Sequence, residues 1–471
     1  MNSLHFLWIA LCIGLPLCGA AWVASLPGPA QARKACTICL GLSLIAATGA
    51  WLDFQWFQLD QAGDSWKFAA VGLDGQWFAL DRISAPLLPL VSLVFFLTCV
   101  ATVRAKMPRF SYGRCLLLQS MVLAFLACAS PGILVALLSL ETVLPAIELW
   151  KRGGSMRAFC LYTMLFIGLA VYGQYAVDRA ADPAERSWAV VALSMAMLIR
   201  AGIAPFHSWI PDLVDRASFG GAMLFVTPML GVYGVVRLVV PIAANDLLVC
   251  IEALSIGTAL YGAAMALVQN DGRHFYSYLT IGQGAVVTAG VLTLAPVAMT
   301  GALCTALSST ISLCGLGLTL RALEARRGSL NLSEFQGLYE KTPYLAMCYL
   351  LTALAAVGFP GTSGFIGLEL LIDGAVNAHP SVGIALVIST ALNGIAAMRV
   401  YFLLFGGPAH TFGTSLDVRR RERLAVLAVA ILIILGGFFP HPYVASLEQA
   451  AEDLIEQRTA NARVAPLVSM Q

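Results

Sequence analysis

Apolar runs of about 17–25 residues, the length that crosses a bilayer as a helix, recur along almost the whole chain. Fourteen are counted, at 4–26, 36–52, 81–103, 112–130, 131–151, 157–179, 187–204, 219–241, 246–268, 274–294, 299–322, 343–360, 380–405 and 423–442. The pattern predicts an all-α polytopic membrane protein of about 14 transmembrane helices. The first run lacks a basic n-region and is long enough to be a retained span rather than a cleaved leader.

Three segments depart from plain spans. From Asp53 to Phe78 the chain turns polar and aromatic around Leu73-Asp74-Gly75-Gln76, which predicts a small hairpin on the outer face. From Pro205 to Ser218 it is too polar to span and is bounded by prolines, so it predicts a helix interrupted within the membrane. Such breaks are tolerated where they line a cavity or are buried in protein. The run Gly358-Phe-Pro-Gly-Thr-Ser-Gly-Phe-Ile-Gly367 predicts a second interrupted helix, with 361–378 as its second half. Paired interruptions in two halves predict an inverted repeat, spans 4–8 answering to spans 9–13. The organisation follows: N-terminal spans with the hairpin over 1–112, a core of spans 4–13 over 113–405, and a basic loop, last span and C-terminal tail over 406–471.

Charge orients these spans. With the N-terminus outside, Lys and Arg in the cytoplasmic connections number nineteen, Arg321 and Arg419 to Arg423 among them, against six on the opposite side. Positive residues collect on the cytoplasmic side, so an even number of spans, both termini outside and the cytoplasmic (inner) membrane are expected. Composition agrees: 59% of residues are hydrophobic and 11% charged, where a soluble domain has roughly 25% charged. A net charge of +2, with no basic tract, gives no surface for nucleic acid. The twelve cysteines fall almost entirely in apolar runs, where Cys behaves as a small buried hydrophobe. Cys36 and Cys39 have CxxC spacing but no second pair or nearby His, so no metal is expected.

Against this background two charges stand out. Arg200 lies in the apolar stretch from Trp188 to Pro205, and Glu141 lies in another from Ile133 to Trp150. A charge at mid-bilayer depth costs at least about 2.5–3.5 kcal/mol and normally faces a partner or a wet cavity. The two are expected to pair, either statically or as a movable charge relay. His207 beside the helix break is a candidate proton relay or a cap for that break. Asp271, Arg273 and His274 form a tight cytoplasmic turn, a candidate for ion access or for local turn geometry alone. Glu369 and Asp373 are weaker candidates, and Glu148 and Lys151 predict an ordinary interfacial pair. No Gly-rich nucleotide loop, P-loop or iron–sulfur Cys set is present, so no cofactor and no catalytic chemistry are expected in this chain.

The run Ile203-Ala-Pro-Phe-His207-Ser-Trp209-Ile-Pro211-Asp212, followed by Gly231-Val-Tyr233-Gly, resembles a motif of the antiporter-like subunits of respiratory complex I (NADH:quinone oxidoreductase) and of Mrp-type cation/proton antiporters. Gln269-Asn-Asp271-Gly-Arg273-His274 with Tyr278, and Gly358-Phe-Pro360-Gly-Thr-Ser-Gly364-Phe365, resemble two further motifs of that family. The resemblance covers roughly residues 75–405 and implies an antiporter-like core. It also implies a membrane-embedded Glu–Lys pair coupled to proton movement along a hydrated axis, which falls here on Glu141 and Arg200. Guanidinium stays charged under protein conditions, so Arg200 can change partners but cannot hand on a proton.

Other positions depart from the family pattern. Met229 stands where relatives carry a lysine, Gly301 and Thr305 replace a His and a Lys, and Leu368 replaces the acid after the second break. Gln283 takes a histidine-like position. Gln283, Thr305, Ser308, Ser309, Thr310 and Tyr278 are the groups able to hold a water chain. The resemblance implies a proton-translocating subunit, with sodium as the alternative ion, among other membrane subunits and lipid; in a redox assembly, electrons would travel in other subunits. Two other readings stay open: a scaffold that has lost conduction, and the membrane partner of a cytosolic zinc protein in an inorganic-carbon accumulation complex.

Overall fold

The computed structural model describes residues 3–56, 66–67, 76–102, 110–153, 155–180, 182–408 and 420–468. The first helices, α1 (Ser3–Ala24), α2 (Pro29–Trp56), α3 (Ser84–Val100) and α4 (Tyr112–Leu126), pack on one another around Cys36, Leu40, Phe95 and Leu116, all fully buried. Between α2 and α3, β1 (Trp66–Lys67) pairs antiparallel with β2 (Gln76–Phe78), as the hairpin expectation requires; its turn at 73–75 lies outside the described residues. Backbone bonds from Ala79 N to Ala127 O (2.8 Å) and from Ala129 N to Trp77 O (2.9 Å) tie this ribbon to the end of α4.

The fifth apolar run is divided at Thr142 into α5 (Pro131–Glu141) and α6 (Val143–Lys151). Pro145 explains the break: its ring clashes with the carbonyl four residues back, that of Glu141, and it offers no N–H to bond it. Next come α7 (Arg157–Arg179) and α8 (Pro183–Ala201), packed together. Asp182 caps α8 through the Ala184 N–H, and Gly202, in the left-handed region at φ 72°, ends it. After the predicted interruption the chain resumes as α9 (Trp209–Arg216) and α10 (Phe219–Val226). Pro228 then stops α10, Met229 takes φ 50°, and α11 (Leu230–Gly234) runs into one π-helical turn at Val235–Val239.

The second half comprises α12 (Asn245–Val268), α13 (Gly272–Leu292), α14 (Pro296–Arg327), α15 (Pro343–Ala356), α16 (Ser363–Ala378) and α17 (Pro380–Phe405). The predicted second interruption separates α15 from α16, where Gly358 (φ 74°) and Gly361 (φ 85°) adopt turns closed to most side chains. In α13 and α14 the most apolar windows are 94% buried, so these helices form the centre of the bundle. Two helices follow, α18 (Arg420–Phe438) and α19 (His441–Val468), bent by 70° from one another. Residue Arg419 of the basic run lies outside the described residues.

The C-terminal stretch packs on the bundle as a helix. In α19, Leu447, Ala450, Ala451 and Leu454 are buried at helical spacing. Arg458 donates to Val240 O (2.6 Å) and Asn245 Oδ1 (2.5 Å), and Asp453 pairs with Arg82 at 2.9 Å. Among the described residues, eight segments are long and apolar enough to cross a membrane, nine if α18 and α19 make one bent span, with four shorter apolar helices besides.

Candidate functional site

The two buried charges meet. Arg200 donates through Nε (3.0 Å) and Nη2 (2.5 Å) to one oxygen, Oε1, of Glu141, and the side chains are 5% and 1% exposed. Each stands at a helix end: Glu141 at the last residue of α5, Arg200 in the last turn of α8. Guanidinium there complements the negative end of the α8 dipole. Its Cζ also lies 4.2 Å from the Phe225 ring centroid and 5.7 Å from that of Trp209, within cation–π range.

The break after α10 supplies a second acceptor. Because Met229 N turns to Val226 O (3.2 Å), the Phe225 carbonyl is released from the helix ladder and accepts Arg200 Nη2 at 3.5 Å. The neighbouring Thr227 carbonyl accepts Thr310 Oγ1 at 3.4 Å. These carbonyl contacts could not be seen from spacing alone; Pro228 was the available signal. Gly231 brings this break close, since a Cβ there would stand 2.3 Å from Ala201 N.

Arg200 lies between two voids. One is small, runs toward α7 and is lined by Thr142, Phe159, Tyr162, Phe166 and Phe225. The other, also small, runs toward α13 and is lined by Met229, Val232, Thr280 and Gly284. Met229, which the resemblance sets at a lysine position, thus faces the same space as Arg200.

His207 sits in the break between α8 and α9, half-buried, with Nε2 3.2 Å from Tyr261 OH and the Tyr278 ring 6.3 Å from its own. On α13 and α14, Ser309 Oγ donates to Gln283 Oε1 (3.1 Å). The hydroxyls of Thr305, Ser308 and Thr310 bond to carbonyls of their own helix, those of Gly301, Thr305 and Ala306. Thr227 Oγ1 and Tyr276 OH, 2.8 Å apart, extend the polar row. Gly301 has a packing reason, because a Cβ there would stand 2.1 Å from Leu371 N on α16. Glu369 and Asp373 lie instead on the exposed face of α16, away from this row, and Asp373 accepts from Asn377.

The cytoplasmic-turn candidates hold helix ends. Asp271 caps α13 by accepting the N–H groups of Arg273 (2.8 Å) and His274 (3.3 Å). Burial alone would raise its carboxyl, but the hydrogen bond with His274 and those backbone donors hold it below the usual carboxylate range. Arg273 binds both oxygens of Glu324 (2.7 and 2.9 Å) and reaches the carbonyls of Val214, Asp215 and Ala217, the C-terminus of α9.

Two charged groups are placed differently from expectation, and a third had none. Glu148 pairs with Arg152 (3.1 Å) and Arg114 (3.8 Å) and accepts Ser218 N (2.9 Å), rather than joining Lys151 in a surface pair. Arg321, expected in a cytoplasmic connection, is 8% exposed within α14 and donates to Thr98 O and Thr102 Oγ1. Arg237 pairs with Asp81 and donates to Tyr233 OH, a contact that no short-range pattern indicated. No group of three metal-ligating side chains occurs among the described residues.

A multi-pass helical bundle with two interrupted helices and a buried acid–base pair defines an antiporter-like membrane protein. The family model described as NADH:quinone oxidoreductase/Mrp antiporter, TM, matches residues 158–393, half of the 471 residues, and the chain belongs to that family. It is 27% identical to NADH-quinone oxidoreductase subunit 13 of Thermus thermophilus, over 94% of this chain and 98% of that one. It is 24% identical to F(420)H(2) dehydrogenase subunit M of Methanosarcina mazei, over 82% and 84%. Its fold matches a chain of respiratory complex I from Thermus thermophilus (TM-score 0.84, 22% identity, 96% and 99% covered). It equally matches a chain of the Mrp complex from Dietzia sp. (TM-score 0.83, 17% identity, 97% and 99% covered).

Proposed function

We propose that this chain is a proton-translocating subunit of a complex I-like or Mrp-like membrane assembly, with sodium as the alternative ion. In this reading the chain has fourteen spans arranged as an inverted repeat in the cytoplasmic membrane. Both termini are outside, and the N-terminal group is 1–112, the antiporter-like core 113–405 and the final stretch 406–471. The observation that carries it is the Glu141–Arg200 pair, buried yet set between two voids. Glu141 uses one oxygen for Arg200, and among the described residues Oε2 has no hydrogen-bond partner. Arg200 holds an alternative acceptor, Phe225 O, near the end of α10. Swinging toward it would free the carboxylate to take a proton; swinging back would expel that proton into the path from His207 toward Gln283, Thr305, Ser308 and Thr310.

Arg200 only changes partners, so the protons must travel on Glu141, His207 and water. A specific observation favours a second reading, a non-conducting scaffold: lysine is absent from every axis position, with Met229, Thr305 and Leu368 in place of titratable groups. Proton uptake into vesicles holding the assembled complex separates the two. In the first reading Glu141→Gln lowers the flux at least about tenfold while assembly persists; equal flux in variant and wild type would falsify the gating role, and a silent wild type supports the scaffold.

A further inference from the structure

Asn393 sits at the centre of the buried stripe of α17, with Leu386, Ser389, Ala396 and Ala397 on the same face, and it is 0% exposed. Neither end of its amide has a hydrogen-bond partner, and among the described residues it is the one side-chain amide orphaned at both its nitrogen and its oxygen. Buried amides are bonded to protein or to internal water, which takes two to four polar partners where it is held.

Gly282 of α13 faces the amide: a Cβ there would lie 3.5 Å from Asn393 Nδ2, 3.7 Å from Ala263 N and 3.8 Å from Ala259 O, all ordinary contacts. The glycine therefore leaves a methyl-sized notch against the amide. Ser389 Oγ, one turn along α17, donates to Ala259 O (2.9 Å) and pins the seam of α12, α13 and α17.

A second orphan lies along the same seam. Tyr278 is one turn from Gly282 on α13; its ring is 6.1 Å from that of Tyr261. Tyr261 in turn meets His207 Nε2, while His207 Nδ1 is buried without a partner. On the other flank of Gly282, Gln283 accepts from Ser309. Two orphaned polar groups thus bracket a pair of phenols, and the inner one stands beside the start of the polar row.

We propose that Asn393 holds an internal water at this seam, and that this water joins the His207–Tyr261–Tyr278 cluster to Gln283. Asn393 carries no proton itself; it is a positioning residue whose amide orients the water. The joining role rests on the conduction reading above, whereas the water site does not.

The experiment uses the membrane assembly purified with the full chain. A cryo-microscopy map that resolves internal waters elsewhere in the bundle is expected to show one within hydrogen-bond distance of the Asn393 amide; a dry amide in such a map overturns the site. In vesicles, Asn393→Leu and Gly282→Ala, which remove the amide or fill the notch, are expected to lower proton flux about threefold or more at unchanged assembly. Asn393→Ser, which keeps a polar group, should recover part of that loss. Wild-type flux in both apolar variants, or an Asn393→Leu variant that melts higher and conducts equally, overturns the joining role. If the wild type conducts nothing, the conduction reading fails and the joining role with it, while the map still decides the water.

Discussion

At the scale of single residues, Glu141 and Arg200 hold each other in place, and the thermodynamics of buried charge says how. Removing one partner leaves an unpaired ion in a low-dielectric interior and typically costs about 3–5 kcal/mol, whereas replacing both with apolar residues of similar volume is often neutral. Glu141→Gln and Arg200→Met are therefore expected to lower the melting temperature of the purified assembly sharply, and the double variant Glu141→Leu with Arg200→Met to recover most of the loss. A double variant that melts as low as the sum of the singles would show that the two sites are not coupled. Asp271 gives a pH-dependent counterpart outside the spans. Its carboxyl is held below its ordinary value in the folded chain, so its stabilisation is complete above that ordinary value, about 3.9. It is lost as pH falls through the depressed one. Asp271→Ala should cost about 1 kcal/mol at neutral pH, the usual worth of an N-cap, while Asp271→Asn keeps the cap and removes this part of the acid sensitivity in a melting series against pH.

At the scale of elements, the breaks place the chemistry, and close backbone approach fixes the breaks. Gly231→Ala would drive a methyl into Ala201 N at 2.3 Å, and Gly364→Ala one into Ala355 O at 1.9 Å. Both variants are expected to lower assembly and to disturb the pair or the second break. Gly257→Ala in α12, with open space around the added methyl, should be neutral or stabilise by up to about 1 kcal/mol through helix propensity. Equal expression and melting of all three would contradict this packing account. The same contrast explains what was legible in the sequence. Both interruptions could be read from Pro205 and from Gly358 with Gly361, because proline and glycine act locally. The Glu141–Arg200 pair could be anticipated because a charge in an apolar run demands a partner. Three things were hidden: the bend at Thr142, which Pro145 signals only once the run is known to be one helix; the freed carbonyls of Phe225 and Thr227; and the fixing of α9 by Arg273. The last two are contacts between elements distant in sequence. The exposed placement of Glu369 and Asp373 was equally out of reach, since it depends on which face of α16 the α14 glycine contacts choose.

At the scale of the whole molecule, sidedness decides what the two voids beside Arg200 can exchange with. Cations clustered in the connections after α14 and before α18 predict a cytoplasmic location for those loops. The outer side then holds the β1–β2 ribbon, the start of α12 and α19. The polar ties of α19 support that grouping, because Arg458 and Asp453 join it to Val240, Asn245 and Arg82, all at one end of the bundle. A membrane-impermeant maleimide can test this in intact cells and in inverted vesicles. Ser329 and Asp246 are both exposed, at opposite ends of α12–α14. Asp246→Cys should label in intact cells, and Ser329→Cys only in inverted vesicles. The reverse pattern would place the cationic loops outside and turn the proposed direction of ion entry around, leaving the fold untouched. Labelling of both positions from one side would mean that α12 to α14 do not make the odd number of crossings on which the alternation of the second half depends.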